Sequence, residues 1–172
     1  PWDTLAGFDE RIICEDKRHM YLPDDHYQFL KDHGIERAHP TKNPGYFEYK
    51  VASVTPLEKR FHPDAWVGDR AADWLGRHGR DPFAAWVSFP GPHDPYDPPQ
   101  ELASLYAQAA IPAPLGCAEE LQRKPAAQQR AAAKYLNNAM YQLDLSRVAP
   151  EQYRRWRAHY YANITLIDEG IG

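Results

Sequence analysis

Asp81-Pro82-Phe83-Ala84-Ala85-Trp86-Val87-Ser88-Phe89-Pro90 is a short run, apolar without interruption from 83 to 87 and bounded by proline on both sides. A run of this length with no polar alternation fits a strand buried on both faces of a parallel sheet. Just before it, Pro63 and Asp64 open a helical pattern over 62–78. Val67, Ala71, Trp74 and Leu75 recur there at helical spacing, and Gly76 and Gly79 offer stops. A helix leading into a buried strand is one step of an α/β architecture. In open sheets of that kind ligands bind beyond the carboxyl ends of the strands. The loop that follows, 90–99, is therefore the first place to look for function.

The rest of the chain supplies mostly helices and proline-rich connections. Asp24 and Asp25, after Pro23, read as a capping pair for a helix over about 24–33 that stops at Gly34. The apolar run 11–14 reads as a short strand, and 38–60 as an ordered excursion with a hairpin near 46–51. Short helices are expected near 98–107, with Leu102, Leu105 and Tyr106 inward, and over the Ala-rich 124–142. Pro150 opens a long helix in which Tyr153, Trp156, Tyr160, Ile164, Ile167 and Ile171 form an apolar stripe. The basic run Arg154-Arg155-Trp156-Arg157 on that helix reads as a solvated face.

Composition narrows the function classes. Hydrophobic residues at 43% of the 172 can build a core, which argues against wholesale disorder. A net charge of −4 leaves no basic footprint for nucleic acid. No stretch of about 18 apolar residues spans a membrane. Cys14 and Cys117 form no metal-ligand pattern. The chain starts at Pro1 without Met and stops at Gly172 within a helical pattern, so both ends read as cut and the compartment stays open.

Pro90-Gly91-Pro92-His93-Asp94-Pro95-Tyr96-Asp97-Pro98-Pro99 holds five prolines around one histidine. Each proline locks one φ and restricts the residue before it, so the loop is stiff before any ligand arrives. A histidine so framed can hydrogen-bond an anionic oxygen or pass a proton near neutral pH. It can equally tie down its own turn through a backbone carbonyl. The residues alone leave both readings of His93 standing.

The segment 88–99 resembles the histidine segment of sulfatases, hydrolases of the alkaline phosphatase superfamily. Gly7-Phe8-Asp9-Glu10, Trp66-Val67-Gly68-Asp69-Arg70-Ala71 and the stretch 160–168, with its Tyr-Tyr-Ala and Ile-Asp elements, resemble further family segments in the same order. The resemblance implies part of an alkaline phosphatase-like α/β sandwich, with a mainly parallel sheet flanked by helices. Residues 1–172 would form a partial catalytic domain. It implies hydrolysis of a sulfate monoester, on a small molecule or a carbohydrate, by a formylglycine nucleophile aided by calcium or another divalent cation. It gives His93 the role of contacting the ester.

The other parts of that machinery are not found here. Cys14-Glu15-Asp16-Lys17-Arg18 has Asp16 where the family's Cys/Ser-x-Pro-x-Arg motif needs proline, and it falls after the Gly-Phe-Asp turn. Ser88-Phe89-Pro90-Gly91-Pro92 lacks the arginine. Lys17-Arg18-His19 lacks the glycine of the family's Gly-Lys-x-His element and reads as an exposed polar stretch. No metal ligand is assigned, and the chain alone is expected to be inactive. Two alternatives stay open: hydrolysis of phosphate or phosphonate esters, and a non-catalytic homologue acting as a binding module.

Overall fold

A computed structural model describes residues 5–16, 22–49, 51–80, 82–113, 115, 118–135, 137–138, 143–144 and 148–172. The helices are α1 Asp25–Asp32, α2 Pro63–His78, α3 Gln100–Leu105, α4 Ala118–Gln122, α5 Ala126–Tyr135 and α6 Pro150–Ile171. Two 3-10 turns, Pro40–Lys42 and Lys59–Phe61, interrupt the long connection between α1 and α2.

The expected α/β sandwich with its parallel sheet is overturned. Among the described residues, strand pairing amounts to a two-residue antiparallel ladder, β1 Asn137–Asn138 with β2 Leu143–Asp144, and one parallel bridge between Ala52 and Tyr96. Residues 83–88 lie in no helix and no ladder, with Phe83, Trp86 and Val87 exposed. An apolar run shows what a segment could bury. Whether it becomes a sheet strand depends on neighbours that exchange backbone hydrogen bonds with it, and the described residues supply none. The strand expected at 11–14 is not formed either, and the segment meets a helix end: Asp25 and His26 both donate their N–H to the Ile13 carbonyl. The hairpin expected near 46–51 is replaced by turns, in which Tyr49 N–H reaches the Gly45 carbonyl.

Helix ends follow the sequence closely. The Asp24 carboxylate caps α1 by accepting Tyr27 N–H at 2.7 Å, and the buried Arg37 guanidinium pairs with it at 3.0 Å. Pro63 starts α2 and Pro150 starts α6, where a missing N–H costs nothing. At α1, Phe29, Phe61, Trp66 and the His26 ring form an aromatic cluster with centroid spacings of 5.4–6.3 Å, and Leu30 is buried.

The second core lies where α6 crosses α2 and α3. Leu102, Ala162 and Leu166 are buried there, with Ala65 and Tyr106 against them. Buried positions on α6 are Ala158, His159, Ala162, Asn163 and Leu166. The expected stripe is buried only in part: Tyr153, Trp156 and Ile167 are half-buried, but Tyr160, Ile164 and Ile171 are exposed, as are Leu75 on α2 and Leu105 on α3. At one point of the crossing the helices approach too closely for any side chain. A Cβ on Gly68 would sit 2.8 Å from the Gly170 Cα. Gly68→Leu is therefore expected to destabilise the chain by about 2 kcal/mol, since overpacking must move backbone. A urea midpoint unchanged from wild type would refute that close approach.

Candidate functional site

The loop 90–99 is fastened at both ends to buried groups. On its downstream limb, Tyr96 N–H donates to the Val51 carbonyl at 2.9 Å, and Thr55 N–H donates to the Pro98 carbonyl at 3.2 Å. Pro95, Pro98 and Pro99 are fully buried. His159 of α6 reaches across both strands of this contact. Its Nδ1 faces the carbonyls of Ser53 at 2.9 Å and Tyr96 at 3.2 Å, and carbonyls only accept, so Nδ1 carries the proton. Burial pushes the His159 pKa down.

The same face of α6 holds the segment beside it. Gln152 and Trp156 both donate to the Tyr49 carbonyl, at 2.6 and 3.1 Å, and Arg155 Nε donates to the Ala52 carbonyl at 3.0 Å. The Arg155 guanidinium also stacks over the Tyr49 ring. Arg154 donates to the carbonyls of Ala107 and Ala109, and Arg157 to that of Pro112. The basic run is thus no idle solvated face. Each arginine ties a loop carbonyl to the helix.

The upstream limb is held by the first turn of α2. The Gly91 N–H donates to the Asp64 carboxylate at 2.7 Å, and Asp64 is fully buried. Glycine is required at 91 for space: a Cβ there would lie 2.4 Å from Asp64 Oδ2. His62 stands between Asp64 and the other limb. Its Nδ1 accepts the Asp64 backbone N–H at 3.2 Å, which caps α2 and leaves the ring proton on Nε2. Nε2 lies 3.8 Å from Asp97 Oδ1, too far for a direct hydrogen bond. Asp97 Oδ2 in turn accepts from Asn43 at 3.4 Å. The limbs therefore converge on one buried group: Asp64, His62, Asp97 and Asn43.

His93 sits between these anchors. Its Nδ1 donates to the carbonyl of Asp94 at 2.8 Å and lies 2.9 Å from the same residue's carboxylate. The side chain is 51% exposed. The turn-tying bond that the sequence allowed is present, and it uses Nδ1. The proton that can be exchanged with a ligand is then the one at Nε2.

A cavity of ≈ 90 Å³ lies beside this frame, not under His93. It is lined among others by His26, Arg37, Asn43, Thr55, His62 and Asp97. The implied calcium finds no fit here. Among the described residues no group of three or more His, Cys, Asp or Glu could hold a metal ion. The buried carboxylates Asp64 and Asp97 are already engaged by Gly91 and Asn43. The half-buried Cys14 follows Ile13, whose N–H donates to the Asp25 carboxylate, so it belongs to the entry of α1. Lys17, Arg18 and His19 lie outside the described residues.

No protein-family model matches the chain. It is similar to an arylsulfatase of Clostridium perfringens (strain 13 / Type A), 31% identical over 116 residues. This is a sulfatase-like relationship. The match takes in 67% of this chain and 22% of the arylsulfatase, so the chain spans about a fifth of that relative's length. Beside a relative of that kind, the residues that sequence reasoning missed are Asp64, His62, Asp97 and His159. Asp64 read only as support for a helix start. The one signal for its second role was a glycine wedged between Pro90 and Pro92, a position with room for backbone and nothing else.

Proposed function

We propose that these residues are part of the catalytic domain of a sulfate-monoester hydrolase, in which His93 contacts the ester. The observation that carries the reading is the half-exposed His93 ring on a loop fastened at both limbs, in a chain with an arylsulfatase relative. Nδ1 is occupied by Asp94, which fixes the ring's tautomer and orientation. Nε2 can then donate to an ester oxygen when protonated, and hand that proton to the departing alkoxide or phenoxide as the S–O bond breaks. The pinned limbs keep the imidazole in place before substrate arrives, so little ordering is left for the reaction itself. A formylglycine nucleophile and a divalent cation belong to this reading as groups supplied by residues other than those described.

The test is an assay of the full-length protein that carries this chain, with an aryl sulfate and the matching aryl phosphate. Release of sulfate as the preferred reaction is expected. Faster release of phosphate would replace the reading with a phosphoryl hydrolase, and no release of either would favour a binding module. The 172 residues by themselves are expected to release no sulfate.

A further inference from the structure

We propose that Asp64 is the positioning residue for His93: from the first turn of α2, its buried carboxylate sets the place of the His93 loop through the Gly91 N–H. This rests on the reading of His93 as the ester contact.

Three observations support it. First, the contact is short and buried. Gly91 N–H meets Asp64 Oδ1 at 2.7 Å, and the Asp64 side chain has no exposed surface. A hydrogen bond to an ionised acceptor in such surroundings is stronger than one between neutral groups. Second, the fit is tight from both sides. Gly91 approaches so closely that any side chain there would overlap the carboxylate. Third, Asp64 is itself held. It lies 3.6 Å from His62, whose ring caps the same helix and faces Asp97 on the loop's other limb. Capping α2 requires only the His62 ring and the Asp64 backbone. The Asp64 carboxylate accepts from the loop two residues before His93.

A carboxylate that merely filled space would be an expensive choice, since burying an ionised group costs several kcal/mol unless it is well hydrogen-bonded. Its use here is geometric. Asp64 stands on a 16-residue helix, whereas the loop has no regular structure of its own. The short bond to Gly91 transfers the helix's rigidity to the backbone that carries the imidazole.

The experiment uses the full-length protein and compares Asp64→Ala, Asp64→Asn, His93→Ala and the Asp64→Ala/His93→Ala double variant. Kinetics on an aryl sulfate are read with NMR resonances of the Gly91 amide and the His93 ring. Asp64→Ala is expected to shift both resonances and to lower kcat about tenfold to a hundredfold with KM little changed, the scale set by an ångström of misplacement. Asp64→Asn keeps an acceptor for Gly91 and should recover most of kcat. In the His93→Ala background, Asp64→Ala should add nothing further, because its effect runs through His93.

Unmoved Gly91 and His93 resonances would overturn the proposal. So would an equal loss of kcat with and without His93, which marks a structural role only. Should Asp64→Ala fail to fold, Gly91→Ala carries the test, because its Cβ would force the loop off Asp64; a His93 ring resonance and a kcat left at wild-type values would overturn the proposal. If His93→Ala leaves kcat intact, the reading of His93 as ester contact fails, while the NMR shifts still decide whether Asp64 places the loop.

Discussion

His93→Ala in the full-length protein is expected to lower kcat on an aryl sulfate by about a hundredfold or more, the usual contribution of a positioned acid or base. The reason for a large effect is the ring's geometry. Nδ1 is bound to Asp94, and the two limbs of the loop are pinned to Asp64 and to residues 51–55. Nothing else in the loop carries an exchangeable proton on a ring so placed. The side chain is half exposed, so its removal leaves no buried cavity, and stability should change by less than about 1 kcal/mol. Loss of activity with an unchanged melting curve is the signature. The loss should be smaller for substrates with good leaving groups, which need little protonation. An equal loss across leaving groups would assign His93 to binding instead of proton transfer, and no loss would remove it from the site.

The second large effect is a loss of stability in mild acid. His26 is buried against Phe61 and Trp66, and its Nε2 donates to the Phe61 carbonyl at 3.0 Å. Burial lowers its pKa from 6.5 to about 4. The unfolded chain therefore takes up the proton first as pH falls. The stability that His26 contributes is complete above pH 6.5, declines between 6.5 and 4, and is gone below the folded value. At 1.36 kcal/mol per unit, the loss is about 2 kcal/mol by pH 5 and about 3 kcal/mol by pH 4. His159, pushed in the same direction by burial, also loses stability as pH falls below 6.5. Urea midpoints measured from pH 7 to pH 4 check this. His26→Phe lowers stability at pH 7 by losing the bond to Phe61, yet flattens the decline. A variant as acid-sensitive as wild type would rule out His26 as its origin.

The helices were legible in the sequence because their ends carry chemistry. Pro63, Pro150 and Asp24 each act within one turn, so a local reading finds them. What each helix buries was less legible. Tyr153, Trp156, Tyr160, Ile164, Ile167 and Ile171 made the obvious stripe on α6, but Tyr160, Ile164 and Ile171 are exposed, while Ala158, His159, Ala162, Asn163 and Leu166 face inward and the crossing at Gly68 and Gly170 leaves no room for a side chain. Residues 83–88 looked like a sheet strand because their apolarity is local, while a strand's partners are not. Among the described residues those partners are missing, and the sheet expectation fails with them. At the site, His93 stood out through its frame of prolines. Asp64 and His159 did not, since their partners lie 27, 63 and 106 positions away and nothing in a single sequence announces such pairs.

Gln152, Arg155, Trp156 and His159 grip the carbonyls of Tyr49, Ala52 and Ser53 from one side of α6, and His159 also grips Tyr96. Fraying the first three turns of α6 would release residues 49–53, and the downstream limb beyond His93 with them. Native-state hydrogen exchange should therefore report the amides of Val51, Thr55, Tyr96 and the first half of α6 opening together, as one cooperative unit with a shared free energy. The lifetime of the ordered loop is in that sense set by a helix end nearly sixty residues farther along the chain.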